Sequence, residues 1–214
     1  MLSTLRLVRH GEVLNPDHVV YADLPGFGLS PTGALQAAAA AERCRSLDID
    51  VIVASPLQRA VDTAAPIAEA LAMYVVRDDR LTEWALGTRW AGVVWEELPS
   101  VFPGELESYL STPTDLPFAP ETIGDVADRM HRLVTDLGHE HPGGTALLVS
   151  HQDPVQALRL SLTRRELGTL HEDKPTHASV ITLQSTADGW IETEFWAPAI
   201  ASEPFPPVDA PNTL

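Results

Sequence analysis

Leu5-Arg6-Leu7-Val8-Arg9-His10-Gly11-Glu12 is a short apolar run that stops on an arginine, a histidine and a glycine. Similar short runs recur at Val51-Ile52-Val53-Ala54, Tyr74-Val75-Val76, Thr145 to Val149, Ser179 to Leu183 and Trp190 to Trp196. Their Val and Ile content marks strands, and unbroken apolar character predicts central strands covered on both faces. Helical stretches fill the intervals. Ser30-Pro31 predicts an N-cap and first helical position before the alanine-rich stretch from Ala34 to Leu47. Ser55-Pro56-Leu57-Gln58 reads as a capping box opening a helix to about Ala72. Ile123, Val126, Ala127, Met130, Leu133, Val134 and Leu137 keep helical spacing, with Gly138 expected to end that helix. Asp153-Pro154 predicts one more, with Val155, Leu158 and Leu162 on its inner face. Strands alternating with helices predict an α/β sandwich on a largely parallel sheet. The short link Ala187-Asp188-Gly189 predicts a closing hairpin, so the sheet is expected to be mixed.

A chain of 214 residues suits one domain, expected over residues 1–197, with 198–214 a proline-rich tail. Residues 84–120 hold five prolines and three tryptophans and no clear strand, so they read as an insertion or lid over one end of the sheet. The single cysteine, Cys44, excludes an internal disulfide framework and fits a reducing compartment. The first apolar run is too short and too early for a signal-peptide core, so a cytoplasmic location is expected. A net charge of −16 opposes binding to nucleic acid or anionic membranes. Thirteen of the fourteen basic residues are arginine, the side chain suited to forking onto carboxylate or phosphate, although only position can show which of them do so.

Three strand ends concentrate that chemistry: Arg9-His10-Gly11-Glu12, Ser55-Pro56 with Arg59 in the next helical turn, and Ser150-His151. In open α/β sheets the crevice beyond the carboxyl ends of the strands is where ligands bind. Two arginines and two histidines at one edge, beside helix N-termini, make a basin for an anion. A phosphate monoester fits it. Arg9 and Arg59 can fork onto the equatorial oxygens, His151 can donate to another, and neutral His10 can attack phosphorus. Neighbouring guanidinium charges would hold His10 unprotonated. Gly11 lets the backbone pass close to the phosphate. The leaving alkoxide needs a proton, and Glu83 in Leu81-Thr82-Glu83-Trp84 is the leading acid, with Glu12, Glu96 and Glu97 as alternatives.

Leu7-Val8-Arg9-His10-Gly11-Glu12 resembles the signature of the histidine phosphatase superfamily, also called phosphoglycerate-mutase-like. Further segments look like that family's motifs, in its order: Leu29-Ser30-Pro31-Thr32-Gly33 with Gln36-Ala37, Ser55 to Ala60 with Thr63-Ala64, Leu81-Thr82-Glu83, and Val149-Ser150-His151. The resemblance implies a three-layer α/β/α fold with a mixed, mostly parallel sheet. It implies His10 as nucleophile, Arg9, Arg59 and His151 as phosphate ligands, and Glu83 as proton donor. The chain departs from the pattern at Asn15, at Gly87-Thr88-Arg89-Trp90-Ala91-Gly92 and at Gln152. This makes Asn15, Arg89 and Gln152 candidates for the substrate rim.

The expected activity is therefore hydrolysis of a small phosphorylated metabolite through a phosphohistidine. A mutase returning the phosphoryl group to a second position, and a non-catalytic phospho-ligand module, are the competing readings. No cofactor and no catalytic metal are expected: His139-Glu140-His141 reads as a solvated turn, and His171 and His177 lack supporting spacing. Trp84, Trp90 and Trp95 fit either a hydrophobic substrate mouth or packing beneath the insertion. A homodimer is open to the chain, with the tail packing on a neighbour.

Overall fold

The computed structural model describes residues 1–200. In chain order its elements are β1 (Thr4–Arg9), α1 (Pro31–Cys44), β2 (Val51–Ala54), α2 (Gln58–Leu71), β3 (Val75–Arg77), α3 (Leu86–Trp90), α4 (Leu98–Val101), α5 (Glu105–Ser111), α6 (Ile123–Glu140), β4 (Thr145–Ser150), α7 (Gln152–Leu162), β5 (Val180–Thr186) and β6 (Gly189–Trp196). The strands form one sheet in the order β3-β2-β4-β1-β5-β6. β3, β2, β4 and β1 pair in parallel, while β5 is antiparallel to both β1 and β6. Only β5 therefore runs against the rest, and the sheet is mixed and mostly parallel.

Side chains that alternate along each central strand are apolar on both faces. Leu5, Leu7, Val53, Leu148 and Ile181 meet Met130, Leu133 and Leu137 of α6 and Val155, Leu158 and Leu162 of α7. Val8, Ile52, Ala54, Leu147 and Val149 meet Ala40, Ala41 and Cys44 of α1 and Ala60, Ala64 and Ile67 of α2. The result is the α/β/α sandwich that unbroken apolar runs require. Residues 84–120 contain short helices and build a core of their own. There Trp84, Trp90, Leu98, Tyr109 and Leu116 pack on Ile123, Val126 and Ala127 of α6. The tail expected over 198–214 lies, from residue 201 onward, outside the described residues.

Local chemistry departs from the sequence reading at three points. Helix α1 spans Pro31–Cys44, starting at the expected Ser30 cap, whose hydroxyl accepts from the Gly33 amide, and at Pro31, but stopping short of Leu47. Ser55 does not box the start of α2, whose N-cap is Leu57 without a side-chain bond; the Ser55 hydroxyl accepts instead from the Leu57 amide at 3.3 Å and from His151. Gly138 lies inside α6 rather than ending it. Its carbonyl accepts from the Met1 amino group at 2.9 Å, and a Cβ there would meet Met1 Cα at 2.9 Å.

Gly11 and Gly33 are packed against each other. A Cβ on Gly11 would come within 2.6 Å of the Gly33 carbonyl oxygen, and one on Gly33 within 2.0 Å of the Glu12 carbonyl oxygen. Close approach of α1 to the loop after β1 therefore demands both glycines, where the sequence reading assigned Gly11 to contact with phosphate. Gly33→Ala must push the two backbones apart. We expect a loss of about 3 kcal/mol, a fall in Tm of roughly 6–12 °C for a domain of this size. An unchanged melting curve by circular dichroism would contradict this packing.

Candidate active site

Parallel pairing of β1 with β4 sets Arg9 beside Ser150, and the His10 amide donates to the Ser150 carbonyl at 2.9 Å. The strands thus deliver His10 and His151 side by side, their ring centroids 5.2 Å apart. β2 ends next to β4, with the Ser55 amide donating to the Val149 carbonyl at 2.9 Å, and α2 then begins and carries Arg59. Residues of α1 and α2 hold the loop after β1. The Gly11 amide donates to Thr63 Oγ1 at 3.0 Å, the Glu12 amide to Gln36 Oε1 at 2.9 Å, and the Ser30 hydroxyl to Glu12 Oε1 at 2.6 Å.

His10, Arg59 and His151 are almost wholly buried. His10 Nδ1 donates to the Gly11 carbonyl at 2.7 Å, which leaves the lone pair on Nε2. Arg59 Nε donates toward that Nε2 at 3.3 Å and to His151 Nδ1 at 3.1 Å. His151 Nε2 therefore carries its proton and donates to Ser55 Oγ at 2.8 Å. Both imidazoles are neutral. Burial and the Arg59 charge hold their pKa values well below the ordinary histidine range, with Arg9 adding to the effect on each. Arg59 makes no ion pair with Asp62 or Glu12. Its Nη2 donates to the Ala22 carbonyl at 2.8 Å, and its guanidinium lies 4.8 Å from the Tyr21 ring centroid.

Arg9 leaves the end of β1 on the same side. Its Nη1 donates to Gln152 Oε1 at 2.8 Å and the Pro175 carbonyl at 2.9 Å, and its Nη2 donates to His177 Nε2 at 2.8 Å. Burial and the Arg9 charge push His177 down to about 3, so it accepts from Arg9 as a neutral ring.

Glu83 follows β3 after one 3-10 turn at Asp79–Leu81, and its Oε2 lies 4.0 Å from His151 Nδ1. Its Oε1 accepts from the Trp84 amide at 2.8 Å. Burial, reinforced by the Asp153 carboxylate, raises the Glu83 carboxyl to about 7 against the opposing charges of Arg59 and Arg9. A carboxyl tuned there holds a proton at neutral pH and can also release it. Asp153 accepts from the Tyr109 hydroxyl at 2.9 Å. Asp153→Asn removes the like charge but not the burial. The pH at which Glu83 loses its proton should then move down while staying above the ordinary carboxylate range. A pH–rate profile reads that shift, and an unmoved alkaline limb would contradict it.

A cavity of about 400 Å³ opens onto this edge, lined by Arg9, His10, Glu83, Gln152 and Asp153 and walled by Trp84, Leu86, Trp90, Trp95 and Tyr109. Arg59 and His151 form the layer directly behind His10. Of the rim candidates, Gln152 and Asn15 line the cavity, and Asn15 also clasps its own loop by donating to the Val19 carbonyl at 2.9 Å. Arg89 is not on the cavity wall. It is exposed and forks onto Glu105, its Nη2 2.6 Å from Oε1 and its Nε 2.9 Å from Oε2. Of the alternative acids, Glu12 accepts from Ser30, Glu96 faces His18 at 3.5 Å, and Glu97 is exposed. Sequence reasoning passed over Tyr21, Tyr109, Asp153 and His177. For His177 a signal existed: it lies just before β5, and an antiparallel β5 starts where β1 ends.

The histidine phosphatase superfamily (branch 1) model matches residues 5–196. The chain is 38% identical over 208 residues to an uncharacterized protein of Mycobacterium tuberculosis, covering 92% of this chain and 97% of that one. It is 32% identical over 171 residues to glucosyl-3-phosphoglycerate phosphatase of the same organism, covering 75% of each. The fold matches a solved phosphoserine phosphatase from Entamoeba histolytica with a TM-score of 0.78 at 26% identity, covering 93% of this chain and 98% of that one. With ordered motifs, mixed sheet and family match in agreement, the chain belongs to branch 1 of the histidine phosphatase superfamily.

Proposed function

We propose that this protein is a phosphatase that hydrolyses small phosphomonoesters through a covalent phosphohistidine on His10, without a metal. The observation that carries this reading is the fixed tautomer of His10: Nδ1 is spent on the Gly11 carbonyl, and Nε2 keeps its lone pair beside the Arg59 guanidinium. In the first step Nε2 attacks phosphorus, the P–O bond to the alcohol breaks, and Glu83 protonates the departing oxygen. Arg9 and Arg59 offer donors to the phosphoryl oxygens as their charge spreads, while His151, whose ring proton goes to Ser55, holds Arg59 in place. In the second step Glu83, now a carboxylate, takes a proton from water. The water oxygen bonds to phosphorus, the N–P bond breaks, and inorganic phosphate leaves.

Hydrolysis is favoured over mutase chemistry because a mutase must hold a second anionic group. Arg89, the one basic residue of 84–120, is committed to Glu105 away from the cavity. Retention of both His10 and Glu83 favours an enzyme over a binding module. A buried free thiol at Cys44 supports the cytoplasmic reading. The test is release of phosphate from p-nitrophenyl phosphate in EDTA, with an alkaline quench and mass spectrometry of the peptide carrying His10. A phosphoryl increment on His10 is expected. Turnover with no increment in a rapid quench, or turnover restored only by added metal, would refute the reading.

A further inference from the structure

We infer that the alcohol portion of the substrate is uncharged and apolar, with a flat ring system as its best fit. This deepens the phosphatase reading and rests on it. Beyond the residues assigned to the phosphoryl group, the cavity wall is aromatic and aliphatic. Trp84, Trp90, Trp95 and Tyr109 meet there with Val20 and Leu86. Trp90 and Tyr109 are edge to face at 5.6 Å, and Trp95 is edge to face with each of them, at 6.4 Å to Trp90 and 6.5 Å to Tyr109. Trp84, Trp90 and Tyr109 are buried and floor the wall, and the ring open to a planar guest is that of Trp95. Trp95, 42% exposed, stands where such a guest would enter.

Charge on this wall points the same way. The ionisable groups around the alcohol end are the carboxyls of Glu83, Asp153 and Glu96, with His18 facing Glu96. Arg9 is directed to Gln152, Pro175 and His177, and Arg89 to Glu105. A leaving group bearing a carboxylate would face like charges on a desolvated wall with no cation assigned to it. An apolar ring would instead exchange water for aromatic contact.

The test compares esters of primary alcohols, so that leaving-group basicity is alike. We expect kcat/KM for 2-(2-naphthyl)ethyl phosphate to exceed that for 3-phosphoglycerate by on the order of 100-fold, the scale set by burying one aromatic side. Trp95→Ala should shrink that ratio by about tenfold. Titration calorimetry with the non-hydrolysable pair 2-(2-naphthyl)ethylphosphonate and 3-phosphonopropionate reads the same preference as affinity, in wild type and in His10→Ala. A ratio near one, or a preference for the carboxylate ligand in either assay, would overturn the inference while leaving the phosphatase reading intact. Absence of any turnover with the aromatic preference in binding preserved would do the reverse.

Discussion

Purified His10→Ala should lose phosphate release from every ester that the wild type hydrolyses, with kcat down by at least ~10³-fold. Removing an attacking atom, unlike weakening one contact among several, leaves only the charge field of the pocket, and nucleophile deletions in other hydrolases fall in or beyond this range. The substitution takes away a neutral ring, so the local charge is unchanged. Arg59 keeps its bonds to His151 Nδ1 and the Ala22 carbonyl. The fold should therefore survive, and Tm with inorganic phosphate present should still rise. Binding without turnover is the expected signature. A variant that turns over at the wild-type rate would exclude His10 as nucleophile.

Glu83→Gln carries the second large effect, and it differs between substrates. Positioned acids and bases contribute about 10²–10⁴-fold. An alkyl phosphate needs its leaving oxygen protonated, so its kcat should fall by that factor. p-Nitrophenolate leaves without a proton, so the first step with p-nitrophenyl phosphate should stay fast while hydrolysis of the phosphoenzyme slows. A burst of nitrophenolate equal to the enzyme concentration follows, with phosphohistidine accumulating. The wild-type profile has the matching sign. Glu83 titrates at about 7, so phosphoryl transfer from alkyl esters weakens as pH rises through that value, and dephosphorylation weakens as pH falls through it. His10, held well below the ordinary histidine range, contributes no protonation in that window. Uniform loss across both esters, with no burst, would place the proton donor elsewhere.

Much of the fold was legible because each central strand is a local apolar run whose two faces must both be covered. Helix interiors were equally readable from spacing. Ends were not. Ser55 looked like the cap of α2, but the helix starts at Gln58, and the hydroxyl accepts from the Leu57 amide and, across 96 positions of chain, from His151. Gly138 looked like a stop, yet the Met1 amino group and the N-terminal backbone pack on it and let α6 run on to Glu140. The site divides along the same line. His10, Arg9, Arg59, His151 and Glu83 could be named because each sits in a short motif near a strand or its end. Tyr21 could not, since what brings its ring against the Arg59 guanidinium is loop closure.

Sequence alone determined which side chains stand at the carboxyl ends of β1, β2 and β4, since a strand's end and the residue after it are written consecutively. Only the tertiary structure decided what those side chains do to one another. It chose the tautomer of His10, raised Glu83 to about 7 and sent Arg89 to Glu105 and away from the cavity. Protonation and pairing depend on burial and on charges brought in from distant segments, and neither quantity exists until the chain has closed around them.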